Sequence, residues 1–219
     1  GSITSSVSAN TEAGFSIVTY SGASTTSTVG HGLSAPPELI IVKGRTVTAG
    51  WPTLYNDGTN SYTMRISENK GNDNDNKTLM FGNGSSHIAP TSSVFTVGNS
   101  DETNHNHNYV AYCFHSVAGY SKIGEYDGTG TTTGNFVETG FAVRWLFVKC
   151  HTNDGTSWVI VDNVRNPSNP RKNRLVSNSN ALEDDCCNQF EFLTTGFRAN
   201  GTDTSLNALG RSMIYIAYA

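Results

Sequence analysis

The stretch NYVAYCF at 108–114 returns near the end of the chain as IYIAYA at 214–219. Tyr109 and Tyr112 fall on Tyr215 and Tyr218, a shift of 106 positions. In an extended strand, Ile214 and Ile216 face one side of a sheet and Tyr215 and Ala217 the other. The rest of the chain follows the same shift. GFSIVTYSG at 14–22 lies over GYSKIGEYDG at 119–128, and PELIIVKG at 37–44 lies over VRWLFVKC at 143–150, with Lys43 on Lys149. Trp51 falls near Trp158, and SSVFTVG at 92–98 falls over NQFEFLTTG at 188–196. The matches never cross, and tandem duplication is the simplest account of that order.

The segments between the matches set the class. ELIIVK is a short continuous apolar run, which suits a strand covered on both faces. SYTMRIS alternates Tyr62, Met64 and Ile66 against Thr63, Arg65 and Ser67. Turn signals such as SG, NDG and GNG punctuate these runs. Asn contributes 23 residues and Gly 22, while charged residues are only 15 %. Asn, Ser and Gly compete with helical hydrogen bonds or cost backbone entropy. The expectation is an all-β chain of two tandem, homologous, sandwich-like halves of roughly 105 residues, packed closely. Residues 1–8 read as a tag or linker, 9–116 as the first repeat and 117–219 as the second. A turn of helix is expected only at 180–187, NALEDDCC, where Asn180 could cap it.

Bulk properties exclude several partners. Net charge is −4 and the longest basic run is Arg171–Lys172, so clustered cations for nucleic acid are missing. No run of about 18 apolar residues occurs, so no membrane insertion is expected. The start GSITSS lacks the basic and apolar regions of a signal peptide. Cys113, Cys150, Cys186 and Cys187 do not fit zinc-ribbon spacing. They read as free thiols made in a reducing cytosol, with a vicinal disulfide at Cys186–Cys187 as the alternative.

With these residues in place, VSANTEAGFSIVTYSG, VGHGLSAPPELIIVK, YVAYCFHSVAGYSKIGEYDGTG, FVETGFAVRW and WVIVDNVRNPSNP resemble a family of repeats in bacteriophage virion proteins. Such repeats are common in marine and environmental phages, at distal tail-fibre or tail structural positions. The resemblance runs from about Val7 to Ala219. It implies a virion structural or host-attachment protein, made in the host cytoplasm and displayed on the virion exterior. A homotrimer and contacts with other virion proteins are implied as well. ENKGNDNDNK and DETNHNHN are richer in charge and Asn than the family pattern, and AVRW lacks the pattern's Pro. Those loops read as the specialised parts of this member.

Candidate sites each compete with a plainer reading. His105 and His107 at i and i+2 face one way on a strand; three copies about a trimer axis would present six imidazoles to a transition metal. The plain reading is a solvated loop. Glu68, Asp73 and Asp75 are oxygen ligands of the kind Ca²⁺ takes, without EF-hand spacing; a mobile tip loop is the plain reading. Trp51 and Trp158 read first as core and otherwise as sugar-stacking platforms, with Tyr55, Asp57 and Asn60 near Trp51 to bind hydroxyls. Arg165, Arg171, Lys172 and Arg174 suit an acidic sugar or phosphate, or else a loop fixed by Asp162 and Arg165. His31 in GHGL reads as a turn residue. No catalytic motif occurs, and the pair Glu183/Asp184 has nothing to set it in a cleft, so no enzyme is expected. Beside the attachment module stand a monomeric carbohydrate-binding module, a decoration or connector domain without ligand, and a depolymerase-like glycosidase.

Overall fold

Apolar side chains recur at every second position along most of the extended segments, and this period makes the chain a set of antiparallel sheets. The computed structural model describes residues 1–219, apart from the side chains at 74, 75 and 186–188. Cys186, Cys187 and Asp75 therefore lie outside the described side chains. The chain forms two compact units, one of residues 1–66 with 72–116 and the other of 67–71 with 117–219.

In the first unit the strands are β1 (Ser5–Asn10), β2 (Phe15–Ser21), β3 (Ser27–Gly30), β4 (Leu39–Gly44), β5 (Pro52–Asn56), β6 (Ser61–Arg65), β7 (Val94–Val97) and β8 (Asn108–Phe114). One sheet has the order β1-β2-β8-β4-β5-β6, and β3 pairs with β7. Along β2, Ser16, Val18 and Tyr20 turn inward. They lie opposite Cys113, Ala111 and Tyr109 of β8, and β8 sets Ala111 and Cys113 opposite Val42 and Ile40 of β4. Val29 of β3 with Phe95 and Val97 of β7 closes the other side of this core.

The second unit contains β9 (Ser121–Asp127), β10 (Phe136–Glu138), β11 (Trp145–Cys150), β12 (Trp158–Asp162), β13 (Arg171–Val176), β14 (Asp184–Phe192), β15 (Gly196–Ala199) and β16 (Ser212–Tyr218). Its strands run β10-β15-β14-β13-β12-β11-β16-β9. The core joins Leu146, Val148, Val159, Val161, Met213, Tyr215 and Ala217 to Val137, Phe190, Phe192 and Phe197. The succession β2-β8-β4-β5-β6 of the first unit recurs as β9-β16-β11-β12-β13 in the second. The pair β3–β7 has its counterpart in β10–β15.

Four sequence expectations need correction. Residues 1–8 are not a bare linker: Ser5–Asn10 pairs along β2, and Ile3 bridges to Val29. The segment 180–187 holds no helix; residues 184–187 enter β14, whose Asp184 and Asp185 lie opposite Arg174 and Asn173. The acid-rich tip is not a plain loop, because α1 spans Asn74–Met80. Asp73 caps it by accepting from Asn76 N, and Met80 and Phe81 bury at its end. The segment 92–98 also finds its counterpart in β15 rather than in β14, since β7 and β15 are the strands that pair with β3 and β10.

Two buried asparagines tie the loops to these sheets. Asn104 Oδ1 accepts from Ala23 N at 2.7 Å, and its Nδ2 donates to Thr25 O and Val97 O at 2.6 and 3.3 Å. Asn207 repeats the pattern. Its Oδ1 accepts from Thr129 N at 3.1 Å, and its Nδ2 donates to Thr131 O and Gly201 O at 3.2 and 2.8 Å. Both asparagines are fully buried. The neighbouring carbonyls, Thr103 O and Leu206 O, accept from Tyr20 OH and Tyr126 OH at 2.6 and 2.7 Å. Gly22 and Gly128 pass so close to His105 O and Ala208 O that a Cβ would sit 1.9 and 2.2 Å from them.

Two lysines brace the hairpin loops in the same way. Lys43 Nζ donates to Ala49 O at 2.5 Å and lies 5.5 Å from the Trp51 ring centroid. Lys149 Nζ donates to Thr156 O and Oγ1 at 2.5 and 3.0 Å. Lys149 is fully buried, and this burial pushes its ammonium down to about 8.

Two outcomes follow. Asn104→Ala and Asn207→Ala each leave buried backbone groups without partners and should destabilise by about 2–4 kcal/mol in urea unfolding. An unchanged midpoint in both would remove the asparagines as loop anchors. For Lys149, the unfolded chain binds the extra proton between about pH 8 and the ordinary 10.5. The buried charge is thus a penalty below pH 8 that fades as pH rises. Between pH 7 and pH 9 the wild type should gain about 1 kcal/mol of stability relative to Lys149→Met, and parallel pH profiles would contradict this.

Candidate functional site

The residues expected around Trp51 do not form a sugar platform. Tyr55 is 1 % exposed and stacks on Tyr62, with ring centroids 5.8 Å apart and 4° between the planes. Trp158 is 2 % exposed beside Phe147, at 5.1 Å between centroids. Burial leaves Trp158 no face for stacking and leaves Tyr55 unable to meet a sugar hydroxyl. Trp51 is half-buried beside Lys43. Asp57 and Asn60 are brought together, but as the turn between β5 and β6. Asp57 Oδ1 accepts from Thr59 N and Asn60 N at 2.7 and 2.6 Å. Burial pushes the Asp57 carboxyl up, and these hydrogen bonds more than offset that, leaving it below its ordinary value.

Asp73 is occupied by structure as well. It caps α1 and pairs with Arg65 Nη1 at 2.7 Å, while Arg65 Nε reaches Glu102 at 2.9 Å. Glu68 belongs to the second unit's segment 67–71. His31 is fully buried: Nε2 meets Thr91 O at 3.1 Å, and Nδ1 accepts from Leu33 N at 3.1 Å. Burial lowers its pKa, so it is a neutral core histidine. Cys113 and Cys150 are buried free thiols, and burial pushes Cys113 up to about 12.

His105 and His107 lie in the loop between β7 and β8, and the structure sets beside them a carboxylate that sequence reading missed. Asp101 Oδ1 is 2.9 Å from His105 Nδ1. One donor atom from each of Asp101, His105 and His107 lies within 4.8 Å of the others. Backbone bonds hold the loop: Gly22 N donates to His107 O at 2.8 Å, and His105 N meets Tyr109 OH at 2.9 Å. Two imidazoles and one carboxylate from a single chain suit a first-row divalent ion and leave positions open for other ligands.

A second constellation lies in the second unit. The start of β10, the approach to β11, the start of β13 and the β14–β15 turn line an open groove of about 780 Å³. Phe136, Val143, Arg144, Arg171 and Phe192 line it, with Asn163, Thr194 and Thr195 as further polar lining. Asn169 positions Phe192 by accepting from its N at 2.9 Å and donating to its O at 2.8 Å. Asn163 N donates to Arg144 O, and Arg144 N to Tyr218 O, fixing the backbone that carries Arg144. Phe136 is 44 % exposed. A neighbouring pocket of about 510 Å³ shares Arg144 and Asn163 and adds Trp145 and Val164.

The four cations of 162–174 divide in a way that sequence alone does not reveal. Arg165 spends its guanidinium on Asp162, at 2.6 Å, and Glu183, at 2.8 Å. Arg174 pairs with Asp184 and Asp203. Arg171 instead enters the groove, with its Cζ 5.1 Å from the Phe192 ring centroid. Phe136 and Arg144 escaped the sequence reading because they stand far from Arg171 along the chain.

A family model described as a domain of unknown function, DUF7483, matches residues 1–219, and the chain belongs to that family. No curated protein and no solved structure matches it.

For the histidine loop, calorimetric titration with Ni²⁺ or Zn²⁺ should show one ion per chain, lost in the double variant His105→Ala, His107→Ala and weakened in Asp101→Asn. Equal binding by all three proteins would remove the loop as a metal centre.

Proposed function

We propose that this protein is a non-enzymatic structural component of a bacteriophage virion, a distal tail-fibre or host-attachment module that binds at the cell surface. The observation that carries the reading is the groove of the second unit. It joins exposed aromatic surface to guanidinium groups on strand ends held by a packed sheet, the usual way a rigid scaffold presents a binding surface. The resemblance of the repeats to phage virion proteins supports the same reading, and so does the recurrence of one strand succession in both units, which tandem duplication explains.

In this reading the protein acts on the virion exterior after synthesis in the host cytoplasm. Its partners are other virion proteins, further copies of itself in a trimer, and a host-surface glycan or protein. A transition metal held by His105 and His107 would serve oligomer contacts or loop order rather than catalysis. A monomeric carbohydrate-binding module is the second reading, favoured by the groove lying within one unit.

Two measurements separate these. Fluorescently labelled protein should mark a subset of environmental bacterial isolates and compete with phage adsorption to them; labelling of none of a broad panel would overturn attachment. Light scattering with and without chelator should give a trimer. A monomer at every concentration would move the assignment to the monomeric module.

A further inference from the structure

Arg171 is 8 % exposed, yet no carboxylate lies within ion-pair distance of it among the described residues. Its Nη1 donates to Asn166 O, and its buried Nε has no hydrogen-bond partner. Burial lowers its pKa, relieved only by the field of Asp162, which is engaged with Arg165. A guanidinium buried to this degree without an ion pair is costly, since one backbone carbonyl and one aromatic face compensate only part of its lost solvation. The same groove holds Arg144, whose side chain makes no ion pair among the described residues. No Asp or Glu lines the groove. Asp162 lines the adjoining pocket beside Arg144 but is engaged by Arg165, and Glu138 accepts from Thr195 Oγ1 at 3.4 Å.

We propose that this groove binds an acidic saccharide, its carboxylate held by Arg171 and Arg144 and its ring laid against Phe136. This rests on the reading of the protein as a surface-binding module and adds the class of ligand. Three features of the lining converge on a uronate-type sugar. The exposed Arg144 fork can match a planar carboxylate in two parallel hydrogen bonds, and the Arg171 guanidinium adds positive charge at the wall. Phe136, 44 % exposed, offers a flat apolar face that suits the C–H face of a pyranose, while Phe192 is buried under the Arg171 guanidinium and holds it in place. Asn163, Thr194 and Thr195 supply the amide and hydroxyl groups that sugar hydroxyls require. Inorganic phosphate would satisfy the arginines but leave the Phe136 face wet. A neutral sugar would cover that face but leave Arg171 without its anion.

The test is calorimetric titration of the whole protein with oligogalacturonate, and with maltohexaose as the neutral comparison. Saturable binding of oligogalacturonate alone, weakened by salt, is expected. Arg144→Gln and Phe136→Ala alter exposed side chains, so folding should survive. Each should weaken binding roughly 10-fold or more, the loss expected for a charge-assisted hydrogen bond or an aromatic contact. Arg171→Gln should abolish binding and is interpreted only with an unchanged thermal melt. The proposal falls if oligogalacturonate does not bind, if maltohexaose or a Glu-rich peptide binds equally well, or if both exposed variants bind like the wild type. Cell labelling that persists after any of those results would leave the attachment reading standing. Groove-dependent oligogalacturonate binding without cell labelling would do the reverse.

Discussion

A buried amide must find a partner for every polar atom, and in this protein that requirement falls on Asn104 and Asn207. Each sits where a long polar loop returns to the end of its sheet. Each spends both its oxygen and its nitrogen on backbone groups of the facing turn. The loops can then be long and poor in apolar residues without unravelling, since their anchorage is polar and internal. Tyr20 and Tyr126 complete the arrangement. Their rings pack on Tyr109 and Phe95 in one unit and on Tyr215 and Phe197 in the other, while their hydroxyls cap the carbonyl beside each asparagine. The sheets supply hydrophobic burial, and these few groups convert it into fixed loop geometry.

That geometry decides which charged residues are free for a ligand. Four arginines lock one segment to another through ion pairs. Arg65 joins α1 to the loop before β8, Arg165 and Arg174 hold the approach to β14, and Arg198 pairs with Glu191 on adjacent strands. Such pairs contribute little individually when exposed, so their value is positional. Arg171 and Arg144 depart from this habit in one place, and there the walls are aromatic and apolar. The lysines follow the structural habit: Lys43 and Lys149 each satisfy a loop carbonyl from within the sheet.

Much of the frame was readable in the sequence because β structure writes its period into the chain. Continuous runs such as WLFVKC mark strands covered on both faces, and the burial of Leu146, Phe147, Val148, Lys149 and Cys150 matches that reading. Local composition misled where tertiary context decided. NDNDNK looks like a tip loop until Leu79 and Met80 extend it into a helical turn anchored by the core. NALEDDCC has the residues of a helix, yet Arg174 and Asn173 draw Asp184 and Asp185 into a strand pairing. Tryptophan read first as core, and Trp158 does fill the volume beside Phe147. The groove was the least legible part. Phe136, Arg144, Arg171 and Phe192 meet only through β10, β13 and β14, and no short motif joins them. The histidine pair was visible as a spacing, but Asp101 joins it only through the fold of the loop.

The five residues 67–71 carry a consequence for how the chain is made. They are synthesised with the first unit but belong to the second, where Gly71 N meets Asp154 and Asn69 O accepts from Thr156 N. As the chain emerges from the ribosome, N-terminal segments have the first opportunity to fold. The segment 67–71 must then wait, solvated, until its partners more than eighty positions later have been translated. The second unit therefore closes on a piece of chain that has already left the tunnel, and a gene split between the repeats would separate that unit from part of its own fold.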